Sequence, residues 1–364
     1  MSLAGNDGGI MAKYDFMSFG EPNIRMSPLG HDRFGQTDEL HLGIAASELN
    51  CCVNISNLSV EKLLPRMKTA YVTKLVDNWT GRYIVQRAQM YGVDMSNIVV
   101  EDFDKIGRTR NGLAFIEIGI GPRPSYQIYD RGHSALSKIQ LGDINWDKTL
   151  DTRWFHTTGI VTALGEHTAE VVLEAIQAAK RNGATVSYDL NYRSTLWSHD
   201  EAGRVIRGLI PYIDVLFAGR SDFECILGIN TVECDGNDMT EAERYERSAE
   251  KVMEKYPHLR AIATSQRWVH SALINDWQGY LATHDGFFAS KRYDKLEIND
   301  RVGGGDSYAS ALIWGMLNGK AEQENVEFAA AYSALCHTIR NDWCLASREE
   351  AQELADGCGA GVRR

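Results

Sequence analysis

Apolar and polar residues alternate in two registers along this chain. Tyr14-Asp-Phe-Met-Ser-Phe19 reads as a strand that stops at Gly20-Glu21-Pro22, and Ala70-Tyr-Val-Thr-Lys-Leu75 reads as a second. After the turn at Asp77-Asn78, Ile84, Val85, Ala88 and Met90 recur at near-helical spacing and predict an amphipathic helix over Gly81 to Tyr91. Ser47 to Leu64 is apolar enough for another helix. Strand, helix, strand in succession is the pattern of a parallel sheet covered by helices, so the expected class is α/β.

The texture changes from Gly112 to Tyr129. Leu113, Phe115, Ile116 and Ile118 precede Gly119, Gly121, Pro122 and Pro124, after which Tyr126, Ile128 and Tyr129 resume, which predicts a hairpin rather than a βα unit. With Asn23 to Leu29 and Glu39 to Gly43 it is expected to form a small sheet, spanning about 23–43 and 112–131, able to cover a pocket. The α/β rhythm then returns: a strand at Trp154 to Thr158, a helix at Thr168 to Asn182, a strand at Thr185 to Asp189, a helix at Asp200 to Leu209 and a strand at Val215 to Phe217. Arg260 to Thr264 predicts a further strand, and Gly279 to Ala282 with Gly286 to Phe288 an antiparallel edge pair. Ligands of such sheets sit beyond the carboxyl ends of the strands, which singles out Asn191, Arg193, Asp222, Thr264 and the glycine cluster that follows.

Composition narrows the classes of partner. The 364 residues carry a net charge of -11 without acidic or basic blocks, and a polyanion-binding surface needs clustered Lys and Arg, so nucleic acid is not an expected partner. No apolar run of spanning length occurs, and no basic-then-apolar start reads as a signal peptide, so a cytoplasmic protein is expected. The seven cysteines, Cys51, Cys52, Cys225, Cys234, Cys336, Cys344 and Cys358, form no C-x-x-C pair and are read as reduced, with Cys51 and Cys52 in the packing. Residues 1–12 are Gly-rich and read as an expression leader, with a natural start at Met11; residues 13–364 are expected to make the working domain.

The richest stretch is Asp300-Arg-Val-Gly303-Gly304-Gly305-Asp306, followed by Ala309, Leu312, Ile313, Met316 and Leu317 at helical spacing. Three glycines at a helix N-terminus let the main chain approach an oxygen closely, and the helix dipole adds partial positive charge there. Asp306 in the first turn would stand beside a transferring phosphoryl group and accept the proton of an attacking hydroxyl. A Gly-rich turn with a merely capping Asp is the alternative, and the spacing from Asp300 to Asp306 favours the catalytic reading.

Asp-x-x-Gly-(Gly/Ala)-Gly-Asp before a small-residue helix resembles the signature of the ribokinase-like (pfkB) carbohydrate kinases. The similarity extends over nearly the whole chain and is closest in flavour to 2-keto-3-deoxygluconate kinases. It is carried by Gly20-Glu21 with Arg25-Met-Ser-Pro28, Tyr129-Asp-Arg131, Asp189-Leu-Asn-Tyr-Arg193 and His337-Thr338. The resemblance implies a three-layer ribokinase-like fold with a small β lid, an ATP-dependent sugar kinase using Mg²⁺, and a homodimer joined through the lid. By that resemblance Asp306 is the general base, and Gly303, Gly304 and Gly305 form the anion hole, with Gly303 and Gly305 also facing the nucleotide. Arg193 reaches both sugar and phosphate, though a surface ion pair would use the same residue. Glu48, Asn50, Tyr129, Arg131 and Asp342 become sugar contacts, Arg131 pairing with an acid group and Tyr129 equally suited to stabilising the hairpin. Thr264 lines the nucleotide phosphates and Asp222 organises Mg²⁺ through water.

Several positions depart from the family pattern. Ala45-Ala46 replaces a Gly-Gly floor, Ala114 a stacking Tyr, His133 a frequent Asn, Gly219 the Asn of Asn-x-x-Glu, and Cys336 a Lys. An intact Asp-and-glycine centre with an altered rim implies conserved chemistry on a changed substrate. Another sugar, such as fructose, a keto-deoxygalactonate or a nucleoside, and a catalytically silent binding protein are the rival readings. A dinucleotide-binding dehydrogenase is not expected, because Gly20-Glu21-Pro22 stands where its Gly-x-Gly-x-x-Gly loop would be.

Overall fold

A computed structural model describes residues 12–231 and 238–358. The leader through Met11 and Cys234 lie outside the described residues. The central sheet runs in the order Gly286–Ala289, Ile274–Thr283, Ala261–Val269, Val215–Phe217, Thr185–Asp189, Trp154–Thr158, Phe16–Phe19, Thr69–Asp77, Val93–Asp94. Pairing is parallel from Ala261–Val269 to Val93–Asp94, and antiparallel where Ile274–Thr283 meets its neighbours. The expected edge pair is present, with Tyr280 opposite Ala289 and Thr283 opposite Gly286.

The two-residue period of each strand feeds two cores, one on either face. Met17, Phe19, Ala70, Val72, Phe155 and Val186 pack against residues of the helices Thr168–Arg181, His199–Leu209 and Glu241–Lys255. The alternate positions Phe16, Tyr71, Trp154, Val215 and Ala261 pack against Ser47–Leu58, Gly304–Leu317 and Glu322–Cys336. Three layers follow from that alternation. No helix among the described residues is long and apolar enough to cross a membrane.

Four further strands form a separate sheet in the order Tyr126–Asp130, Gly112–Glu117, Asn23–Pro28, Leu40–Ala45. Asn23–Pro28 and Gly112–Glu117 pair in parallel, and the flanking pairs are antiparallel. Directly paired residues share a face, so Arg25, Ala114 and Tyr129 point one way, while Met26, Leu42, Phe115 and Ile128 point the other. Ala114 is fully buried between Arg25 and Tyr129, where a large ring would compete with Arg25 for space.

Two expectations shift at their ends. The helix from Ser47 stops at Leu58, because Lys62 and Leu63 take positive φ in a tight ribbon between Val60–Glu61 and Leu64–Pro65. The strand expected to end at Thr264 runs on to Val269, because Ser265 to Val269 find partners at Gly279 to Asn275 on the returning strand.

Candidate active site

The helix Gly304–Leu317 starts between the small sheet and the carboxyl ends of the parallel strands, and its three glycines do different work. Gly303 is its N-cap at φ 84, in the left-handed region, and a Cβ there would collide with the Asp342 carbonyl. At Gly304 a Cβ would meet the His337 ring 2.6 Å away. Gly305 has nothing within 4 Å of that position and is exposed, so it alone offers an open main-chain surface. The first N–H groups of a helix have no intrahelical acceptor, so this is where an anion can be held.

Asp306 follows in the first turn. Ser47 Oγ donates to its Oδ1 at 2.6 Å and Asn50 Nδ2 to its Oδ2 at 2.6 Å, both from the opening turn of Ser47–Leu58. Asn191, at φ 37, donates from Nδ2 to Ser47 Oγ at 3.1 Å and completes the chain. The carboxylate is thereby held in one orientation at the wall of a cleft of 210 Å³. It is half-buried there and does not face open solvent.

Most expected sugar contacts line that cleft: Glu48, Tyr129, Arg131, Arg193 and Asp342, together with Ala45 and Ala46. Asn50 does not. It is buried, so its expected contact with sugar hydroxyls is corrected to a hold on the Asp306 carboxylate. Glu48 is fully enclosed, accepting from Thr158 Oγ1 at 2.5 Å, and burial pushes its carboxyl up to about 8. At neutral pH it is an uncharged acid, able to donate as well as accept. Arg131 sits 3.3 Å from Glu21 and 4.1 Å over the Tyr129 ring, so an internal carboxylate already answers its charge.

Asp342 belongs to a buried triad. Arg25 binds Asp342 Oδ1 at 2.7 Å and Asp300 Oδ2 at 2.5 Å, joining the small sheet to both loops that flank the glycine turn. Burial pushes Asp342 up to about 7, with Arg25 pulling the other way. The same desolvation lifts Asp189 to about 7, with the charge of Asp306 acting in the same direction.

A second cleft of 380 Å³ adjoins the first and contains Thr264, Ser265, Gly219 and Asp222. Asp189, Asn191, Arg193 and Gly305 line both, which puts Gly305 and Arg193 at the junction. Asp222 Oδ2 accepts from the Gly219 N–H at 2.9 Å, capping its own short helix, and burial raises its pKa. A Cβ at Gly219 would lie 3.5 Å from Asp222, an ordinary contact, so the missing Asn is not enforced by crowding. Among the described residues no group of three or more His, Cys, Asp or Glu is arranged for a metal ion. Mg²⁺ is ordinarily held by phosphates, waters and a single carboxylate, a donor set that Asp222 beside an anion site suits.

Several residues of this centre escaped the sequence reading. Ser47 had no signal beyond standing after Ala45-Ala46, Arg25 lay in a quoted motif without a role, and Arg267 and Arg301 line the first cleft from segments read only as strand end and spacer.

The sequence profile of the pfkB family carbohydrate kinases matches residues 16–341. A 2-dehydro-3-deoxygalactonokinase of Haloferax volcanii is 29% identical over 350 residues, 96% of this chain and 99% of its own. The solved 2-dehydro-3-deoxygluconokinase of Thermotoga maritima superposes with a TM-score of 0.86 at 37% identity, covering 94% of this chain and 100% of that one. A putative ribokinase II of Escherichia coli, solved with ATP and Mg²⁺, shares the fold at a TM-score of 0.73 and 16% identity over 94% of this chain and 99% of that one.

Proposed function

This chain belongs to the pfkB family of carbohydrate kinases, and from that premise we propose that it transfers the γ-phosphate of Mg-ATP to a hydroxyl of a keto-deoxy sugar acid, 2-keto-3-deoxygluconate first. The observation that carries the reading is Asp306 at the wall of the first cleft, one residue from the open main chain of Gly305 at the junction with the second. The acceptor hydroxyl enters from the first cleft and gives its proton to Asp306 as it attacks. Gly305 and Arg193 meet the phosphoryl group between the clefts, with Thr264 on the phosphate side. Asp222 would hold Mg²⁺ through water, and the ion would supply charge neutralisation on the phosphates. Two relatives carry names of keto-deoxy acid kinases, which supports the choice of acceptor. With it goes a cytoplasmic, ATP-fed setting.

The outward face of the small sheet supports a homodimer. Leu40, Leu42, Tyr126 and Ile128 are exposed there. Coupled ADP release across keto-deoxy acids, fructose and nucleosides tests the activity, with and without EDTA. Turnover of a keto-deoxy acid that EDTA abolishes is expected; turnover confined to neutral sugars would overturn the choice of acceptor.

A further inference from the structure

The walls of the first cleft carry nine ionisable side chains of both signs, five acidic and four basic, and most of them are answered within the protein. Arg131 has Glu21, Asp342 has Arg25, and Asp306 has Ser47 and Asn50. Arg267 and Arg301 stand apart. The influences on Arg267 are its own burial and the like charge of Arg301, both of which lower its pKa, and no carboxylate offsets them. Arg301 is exposed at the mouth of the same cleft.

Both are placed by elements that do not move freely. Arg267 lies on the extension of Ala261–Val269, opposite Trp277, whose ring meets His337 edge-on at 4.4 Å. Arg301 follows Asp300, which is anchored in the buried Arg25 triad. Two like charges set into one wall without a counter-ion among the described residues are unfavourable, and an anion between them reverses the sign. Neither arginine lines the second cleft, the one assigned above to the nucleotide phosphates.

We propose that Arg267 and Arg301 clamp the carboxylate of the acceptor, and so select a sugar acid over a neutral sugar. The inference rests on the sugar-acid kinase reading and deepens it. It also relieves Arg131, already faced by Glu21, of that task. Planar guanidinium groups suit a carboxylate's two oxygens, so lysine is not an equivalent substitute.

The test is kcat and KM for 2-keto-3-deoxygluconate and for fructose with the full chain, Arg267→Gln, Arg301→Gln and Arg301→Lys. Loss of one member of such a pair is expected to cut kcat/KM for the acid about 30-fold, mainly through KM, and to leave fructose unchanged. Arg301 is exposed, so its variants keep the fold even where the Arg267 variant does not. Parallel losses on acid and neutral acceptor, or no loss, would overturn the proposal. Should the wild type turn over no acid, the choice of a sugar acid as acceptor fails by itself. Calorimetry with gluconate and glucitol then decides the clamp: preference for gluconate that the variants lose supports it, and equal binding of the two in the wild type removes it.

Discussion

The two clefts that meet at Gly305 are built on different principles. The acceptor cleft is walled by charged side chains brought from the small sheet, the first helix and the C-terminal loop, and many are fixed in buried pairs. The second cleft is made of small and aromatic residues at successive strand ends and the turns after them, and Asp222 is the one charged residue in its lining that the first cleft does not share. The first is shaped by a polar network that costs stability when any member is lost, and the second by backbone that tolerates a Gly219. Under the proposed function, discrimination falls to the former and general phosphate handling to the latter.

The sharpest way to break that contrast is at the junction. Asp306→Asn keeps the size but turns one acceptor oxygen into a donor and removes the carboxylate, so kcat should fall by roughly 10²- to 10⁴-fold while calorimetric binding of nucleotide and acceptor persists. A variant with near wild-type kcat would deny Asp306 its role. Next in size is the network itself. Arg25→Met leaves Asp300 and Asp342 buried without their cation, and should lower unfolding free energy by about 3–5 kcal/mol in urea melts. Matching stability would mean that water or protonation replaces the pair.

The glycines sharpen the comparison further. Gly303→Ala forces a Cβ against the Asp342 carbonyl at positive φ and should destabilise by about 1–3 kcal/mol. Gly305→Ala meets nothing in the empty site, so its melting temperature should hold while kcat drops. If both variants melt alike, the division of labour among the three glycines is wrong.

The last test is in pH. Glu48 ionises near 8 in the folded protein, well above an ordinary glutamate, so the folded state holds a proton that the unfolded state releases. Its contribution to stability is complete below the unfolded pKa, declines as pH rises toward 8, and is gone above it. Glu48→Gln should flatten that decline between pH 5 and 8 in a series of thermal melts, and an unchanged slope would place the titration elsewhere.

The chemistry-bearing centre was legible because it is local: a glycine run, a carboxylate one residue later, and a helical apolar period behind them. The strands Thr185–Asp189 and Val215–Phe217 were equally plain, being short apolar runs between turn residues. Two helices went unread although Thr240 with Glu243 and Ser347 with Glu350 form capping boxes that announce their starts. The role of Asn50 was misjudged because resemblance names a neighbourhood and not the direction of a side chain.

By itself the sequence determined the layered α/β architecture, through strands of two-residue period and amphipathic helices, and it determined the Asp-and-glycine turn, because both are encoded within a few residues. Only the tertiary structure decided which charges are answered. Arg25 meets Asp300 and Asp342 across 275 and 317 positions, and Arg267 is left beside Arg301 with no acid at hand. Ion pairing over such separations depends on how sheets stack and loops close, and no local pattern of residues carries that information.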